Sequence, residues 1–231
     1  MTDWLGPEAL DALRLSLLVA TVAVVLMLPF ALGIATLLAR PDLPGRSLID
    51  ALVHLPLVAP PVVTGYVLLV LFGRNGSIGA FLQDWFGITV AFRWTGAVLA
   101  AAVMAFPLMV RAIRLSIEAV DPRLFAAAHS LGAGPVRTWF TITLPLAMPG
   151  ILAGTVLSFA KALGEFGATI TFVSNIPGET RTLPLAIFTF LQVPGGEPEA
   201  VRLVLVAVAI SLAALLVSEW LAGRMRRRRM G

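Results

Sequence analysis

Two ionisable residues stand where charge is least expected. Lys161 and Glu165 lie inside an apolar stretch that runs from about Leu146 to Val173. Charges within such a stretch are functional candidates by default. A spacing of four puts both on one helical face, close enough to neutralise each other. The pair has two readings: a structural ion pair at a helix interface, or a contact with an anionic cargo. A bare carboxylate on an anion's path would repel it, so Glu165 is expected to face Lys161 or backbone amides. Gly164 and Gly167 beside it allow close helix approach. Thr64, Thr169, Thr171 and Ser174 carry hydroxyls able to donate to an anion, although membrane helices also bond such groups to their own backbone.

Other chemistry has little to work with. His54 and His129 stand alone, which leaves no His-based metal cluster, and each reads as a helix-end or interface residue. The chain has no cysteine, so there is no disulfide framework, zinc site or thiol nucleophile. A phosphate-binding loop needs Gly-x-x-x-x-Gly-Lys followed by Ser or Thr. The one lysine, Lys161, is followed by Ala162, so the chain cannot hydrolyse ATP by that route. No catalytic residue and no metal ligand is assigned. A membrane enzyme would need convergent acids, bases or metal ligands, and only one adjacent pair is present.

Composition sets the elements that must hold these residues. Hydrophobic residues make up 58% of the 231 and charged residues 13%, and the mean hydropathy is +0.93. A soluble domain has about 45–50% apolar and ~25% charged residues. The expectation is one all-α integral membrane domain over 1–231. The formal charge of +4 could suggest nucleic acid, but the densest basic cluster, Arg226 to Arg229, directly follows an apolar segment. It reads as an anchor at the lipid headgroups, so membrane lipid is an expected partner and nucleic acid is not. Asp3, Glu8 and Asp11 precede the first apolar run where a signal peptide would carry a basic region.

A crossing helix needs ~20 mostly apolar residues. The uncharged intervals between Arg14 and Arg40 and between Asp50 and Arg74 give the first two spans. The third runs roughly from Trp94 to Ile113, a shorter stretch that must borrow from its flanks, the fourth from Leu146 to Val173 and the fifth from Val201 to Leu221. Leu183 to Val193 is apolar but short and bracketed by Pro-Gly turns. It reads as an outer-side interfacial or re-entrant piece, which leaves five spans, or six if it crosses. Arg40, Arg46, Arg111, Arg114, Arg123, Arg137 and the carboxy-terminal arginines collect on one side. Arg74, Arg93, Arg181 and Arg202 lie on the other, diluted by Asp84, Glu179, Glu197 and Glu199. The amino terminus is therefore expected outside and the carboxy terminus in the cytoplasm. No internal repeat is clear. Pro56, Pro60 and Pro61 interrupt the second span, as hinges or as fixed packing kinks.

The loop of about 116–143 then falls on the cytoplasmic side. Asp121-Pro122 is a good helix start. Leu124, Phe125, Ala128 and Leu131 follow on one face, and Gly132 and Gly134 end the helix. Small alanines, Ala126, Ala127 and Ala128, let a partner approach the backbone. A helix lying on lipid would place Lys or Arg along its polar face. This one offers His129 and Ser130, which favours protein docking. Pro135 begins another helix leading through Trp139 and Phe140 towards the membrane.

Ala126-Ala-Ala-His-Ser-Leu-Gly132, followed by Ile142-Thr-Leu-Pro145, resembles the cytoplasmic coupling loop of ABC-transporter permeases. The customary Glu at its first position is here Ala126. Three further segments extend the resemblance to the permease subunits of molybdate ABC transporters along nearly the whole chain: His54 to Tyr66, Arg93 to Pro107, and Leu163 to Thr182. Leu163-Gly-Glu-Phe-Gly-Ala also occurs in the related sulfate and tungstate permeases, so it marks the oxyanion group better than one member. The resemblance implies a type I ABC importer permease fold in the cell inner membrane. It implies a homodimer with its pore at the dimer interface, two ATP-binding subunits, and a periplasmic or extracellular molybdate-binding protein. ATP and magnesium would sit on the partner ATPase, with no cofactor in this chain. Leu124, Phe125, Ala126, Ala127, Ala128, Leu131, Gly132, Ile142, Leu144 and Pro145 would couple to the ATPase. Thr64, Lys161, Gly164, Glu165, Gly167, Thr169, Thr171 and Ser174 would belong to the translocation path or dimer interface. A sulfate or thiosulfate permease and a secondary anion transporter stay open as alternatives; the latter commonly shows inverted repeats and embedded ion-coupling sites, and neither is evident.

Overall fold

A computed structural model describes residues 4–230, without the side chains of 221, 222 and 224–230. Asp3, ahead of the first apolar run, and the headgroup anchor expected at Arg226 to Arg229 lie outside the described residues and side chains. Among the described residues the chain is helical without strands.

Three long helices form the centre: α1 (Pro7–Leu38), α5 (Trp94–Glu118) and α8 (Leu144–Leu163). Their contact faces are built of small residues. Ala20, Ala23, Ala31 and Ala35 of α1 and Ala97, Ala100 and Ala105 of α5 are fully buried, with Met104, Met109 and Ile113 filling between them. In lipid no hydrophobic force draws helices together, so close van der Waals packing across small side chains must do so. Gly150 and Gly154 of α8 give the tightest approach: a Cβ at Gly150 would collide with Ser116, and one at Gly154 would lie 3.0 Å from the Cβ of Ala112. Pro29, Pro107 and Pro149 sit inside these helices, as membrane helices tolerate.

The span between Asp50 and Arg74 is not one helix. It is α2 (Arg46–Val58) and α3 (Pro61–Phe72), bent by 110° at Ala59-Pro60. Pro60 and Pro61 lack amide hydrogens, so the helical ladder cannot pass through them. Among the described residues four helices are long and apolar enough to cross a membrane, and five spans result if the bent pair counts as one.

The other boundaries also shift. The third span continues through Glu118, because Arg111 and Arg114 extend the helix rather than end it. The fourth begins earlier, at α7 (Pro135–Thr138), passes a π-turn (Trp139–Thr143) into α8, and breaks at Gly164 to Phe166 before α9 (Gly167–Val173). The connection between the third and fourth spans is therefore shorter than 116–143: it covers residues 119–134, which contain α6 (Pro122–Ser130), while Ile142 lies in the π-turn and Leu144 and Pro145 begin α8. The fifth span belongs to α11 (Glu197–Met230). The segment 183–193 contains α10 (Leu183–Phe190), whose eight residues are too few to cross.

A second cluster, Leu5, Ala9, Ala12, Leu183, Ala186 and Leu203, joins the start of α1 to α10 and α11. The backbone N–H of Leu183 donates to Ser16 Oγ at 2.5 Å. One helix has no counterpart in the sequence reading: α4 (Ser77–Phe86), which exposes Phe81, Trp85 and Phe86. Exposed aromatics on a short helix suit a membrane–water interface.

Candidate functional site

The break after α8 organises the first group of residues. Gly164 closes α8, and Glu165, only 3% exposed, lies in the gap rather than on a shared helix with Lys161. The two still meet: Lys161 Nζ donates to Glu165 Oε2 at 2.5 Å. The other oxygen, Oε1, accepts the N–H of Ala168 at 3.0 Å, which satisfies one of the free amides at the start of α9. Glu165 thus faces both the lysine and a backbone amide, as the repulsion argument requires.

Helix α9 rests against α3. A Cβ on Gly167 would lie 2.6 Å from the Cβ of Pro61, so glycine is needed there. Gly164 is different: a Cβ there would have its nearest neighbour 3.6 Å away and the residue is exposed, so no close packing within the chain depends on it. Thr64 is half-buried on α3, next to Gly65, and Thr169 is buried on α9. Thr171 donates to the carbonyl of Gly167 at 2.9 Å, the local bond that competes with any ligand role. Phe172 packs edge-on to Phe72 of α3. The two broken spans therefore meet at their breaks, and Thr64, Gly167, Thr169 and Thr171 all lie on the two short helices in contact.

Ser174 ends α9 at φ 65 and ψ −159, a region side chains seldom occupy. The turn that follows is tied internally. Thr180 Oγ1 donates to the carbonyl of Ser174 at 3.3 Å and accepts the N–H of Ile176 at 2.9 Å. Arg181 Nε donates to Asn175 Oδ1 at 3.0 Å, and Arg181 Nη1 donates to Glu8 Oε2 at 3.3 Å. The motif from Leu163 to Thr182 is thus a short helix plus a braced turn.

The second group is on α6. Asp121 Oδ1 accepts the N–H of Arg123 at 2.9 Å, the N-cap its position suggests. At the far end Gly132 has φ +76. Ala133 N–H bonds the carbonyl of Ala128, and Gly132 N–H bonds that of His129, a Schellman closure that calls for a left-handed residue. Nothing lies within 4 Å of a Cβ at Gly132, so the glycine serves backbone conformation and not close packing within the chain. Ala128 is buried and Phe125 half-buried, while Ala126 and Ala127 are exposed. Leu131 departs from the expected apolar face: it caps the helix and is 86% exposed. Ile142 and Leu144 are half-buried and Pro145 lies at the surface. Trp139 Nε1 donates to Thr36 Oγ1 at 3.2 Å, which pins the π-turn to α1. His54 and His129 each bond the carbonyl four residues back through Nδ1, and among the described residues no cluster could hold a metal ion.

A third group escaped the sequence reading. Glu118 Oε1 accepts from Arg46 Nη2 at 2.6 Å and from Arg114 Nε at 2.9 Å. Arg114 Nη1 donates to Asp50 Oδ1 at 2.7 Å. Only the spacing of Arg114 and Glu118 was visible as a signal; the bonds from α2 join residues more than sixty positions apart.

Known proteins place this geometry. Residues 27–230 match the family described as binding-protein-dependent transport system inner membrane component. The chain is 62% identical over 221 residues to the molybdenum transport system permease protein ModB of Escherichia coli K12, covering 96% of each chain. It is 37% identical over 226 residues to the sulfate transport system permease protein CysT of Salmonella typhimurium, covering 98% of this chain and 81% of that one. A solved bacterial ABC transporter involved in alginate import has a chain of the same fold, with a TM-score of 0.76 at 15% identity over 95% of this chain and 80% of that one.

Proposed function

The chain belongs to the family of binding-protein-dependent transport system inner membrane components, and from that premise we propose that it forms the membrane pathway of an ATP-driven importer of molybdate. The observation that carries the cargo is the 62% identity to a molybdenum permease along almost the entire chain, against 37% to a sulfate permease. The family membership removes the secondary transporter from consideration.

Two copies of the chain enclose the path, two ATP-binding subunits dock from the cytoplasm with ATP and magnesium, and a binding protein delivers the anion from outside. Helix α6 is the docking element. Its exposed Ala126, Ala127 and Leu131 offer a close-approach surface, and Asp121 and Gly132 fix its ends. The amino terminus faces outward and the carboxy terminus inward, as the arginine distribution requires.

The α3–α9 junction serves as the gate. Both helices follow a break in a span, and non-helical backbone at membrane depth is tolerated where protein covers it or water fills the path. Glu165 is a positioning residue there. It ties α8 to α9 through Lys161 and the Ala168 amide, and its charge is neutralised before an anion passes. A path should hold its cargo weakly so that release is fast, so selectivity rests mainly on the binding protein. Uptake of labelled molybdate into proteoliposomes carrying the complete complex tests the reading. ATP- and binding-protein-dependent accumulation is expected; accumulation without either would refute it.

A further inference from the structure

We propose that the ion-pair cluster between α2 and the end of α5 transmits movement of α6 to the α3–α9 junction, with Glu118 and Arg114 as positioning residues. This rests on the reading of α6 as the ATPase-docking helix.

Apart from the buried Ala128 and half-buried Phe125, helix α6 is exposed, so its two ends are the covalent routes by which a push reaches the membrane body. At the carboxy end, α7 and the π-turn continue into α8, and so to Lys161, Glu165 and α9. At the amino end only residues 119–121 separate α6 from Glu118, the last residue of α5. The carboxylate of Glu118 is held by Arg46 of α2 and by Arg114 of α5, and Arg114 holds Asp50 of α2.

Helix α2 depends on these bonds. None of its residues is buried, and Ile49 and Val53 reach the core only in part. The Arg46 Nε is enclosed without a hydrogen-bond partner, so its guanidinium is fixed through the bond to Glu118. Past the 110° elbow at Ala59-Pro60, α2 becomes α3, whose Gly65 touches the backbone of Ala168. A displacement of Glu118 therefore draws on α2, turns it about the proline elbow and loads the same contact that α8 reaches from the other side. Two lines from one helix converge on one junction.

The experiment uses the complete complex in proteoliposomes, with the binding protein loaded with molybdate. The double variant Arg46→Met/Asp50→Ala removes the donor to Glu118 and the acceptor from Arg114, severing both links from α2, and leaves Arg114–Glu118 intact. Hydrolysis stimulated by the loaded binding protein should persist while molybdate imported per ATP falls about fivefold or more. An unchanged ratio overturns the proposal. Because the chain has no cysteine of its own, a second test introduces the only thiols in this subunit: Asp50→Cys/Arg114→Cys, before and after joining with a short thiol-reactive bifunctional crosslinker. The open pair should be uncoupled and the bridged pair should regain the wild-type ratio. A bridge that arrests both hydrolysis and uptake would show that α2 and α5 separate during the cycle, and would overturn the strap. A wild-type complex with neither activity would instead refute the transport reading.

Discussion

A Cβ on Gly65 would lie 2.6 Å from the carbonyl oxygen of Ala168 and 2.9 Å from the Cβ of Thr171. Helices α3 and α9 thus touch at backbone distance, and neither side has a flexible tip that could move away. Gly65→Val should force them apart at a cost of about 1–3 kcal/mol. The checks are the melting temperature of the purified complex and molybdate uptake. Uptake should fall further than stability does if the junction is the gate, whereas a variant with full uptake would show that close contact is dispensable.

The Lys161–Glu165 pair makes a different demand. Lys161→Met leaves a buried carboxylate with only the Ala168 amide, and should cost about 2–3 kcal/mol. Glu165→Gln keeps an acceptor for Ala168 and should cost less. Replacing both should harm less than the two single losses summed, read from thermal unfolding of the assembled complex. Strict additivity would argue that the two residues act separately.

On α6, Ala127 is exposed and Leu131 is 86% exposed. Ala127→Arg and Leu131→Asp should therefore leave membrane insertion intact and remove co-purification of the ATP-binding subunit. Gly132→Val should also weaken docking, through a left-handed φ of +76 that a β-branched residue resists. Retention of the ATPase by all three variants would remove α6 as the docking element.

A reporter fused after Arg229 should read cytoplasmic and one inserted near Gly195 should read periplasmic. The opposite pattern would reverse the orientation and move α6 to the wrong side for an ATPase.

The sequence made the class, most of the spans and both ends of α6 legible, for local reasons. Charge-free intervals mark membrane helices, Asp121-Pro122 marks a start, and Gly132 marks a left-handed stop. The breaks were harder. The second span shows no charge between Asp50 and Arg74, so hydropathy reads it as continuous, although Pro60-Pro61 turns it by 110°. Glu165 looked helical by its spacing from Lys161, yet it caps α9 across a gap. Arg111 and Arg114 looked like the end of a span, because hydropathy ends there while the helix continues to Glu118. The bonds from Arg46 and Asp50 to α5 depend on tertiary approach, which no spacing encodes. Of the two uses open to the hydroxyls, Thr171 shows the local one, a bond to the carbonyl of Gly167.

The proposed cargo is a tetrahedral oxyanion, with molybdate and tungstate ahead of sulfate, moved under power from a partner ATPase. The most direct measurement is ATP hydrolysis by the reconstituted complex, with its cognate binding protein loaded in turn with molybdate, tungstate and sulfate. Stimulation by the molybdate- or tungstate-loaded protein, and none by the sulfate-loaded one, is the result expected. Stimulation by sulfate alone would contradict the cargo assignment, and no stimulation by any loaded protein would contradict the importer itself.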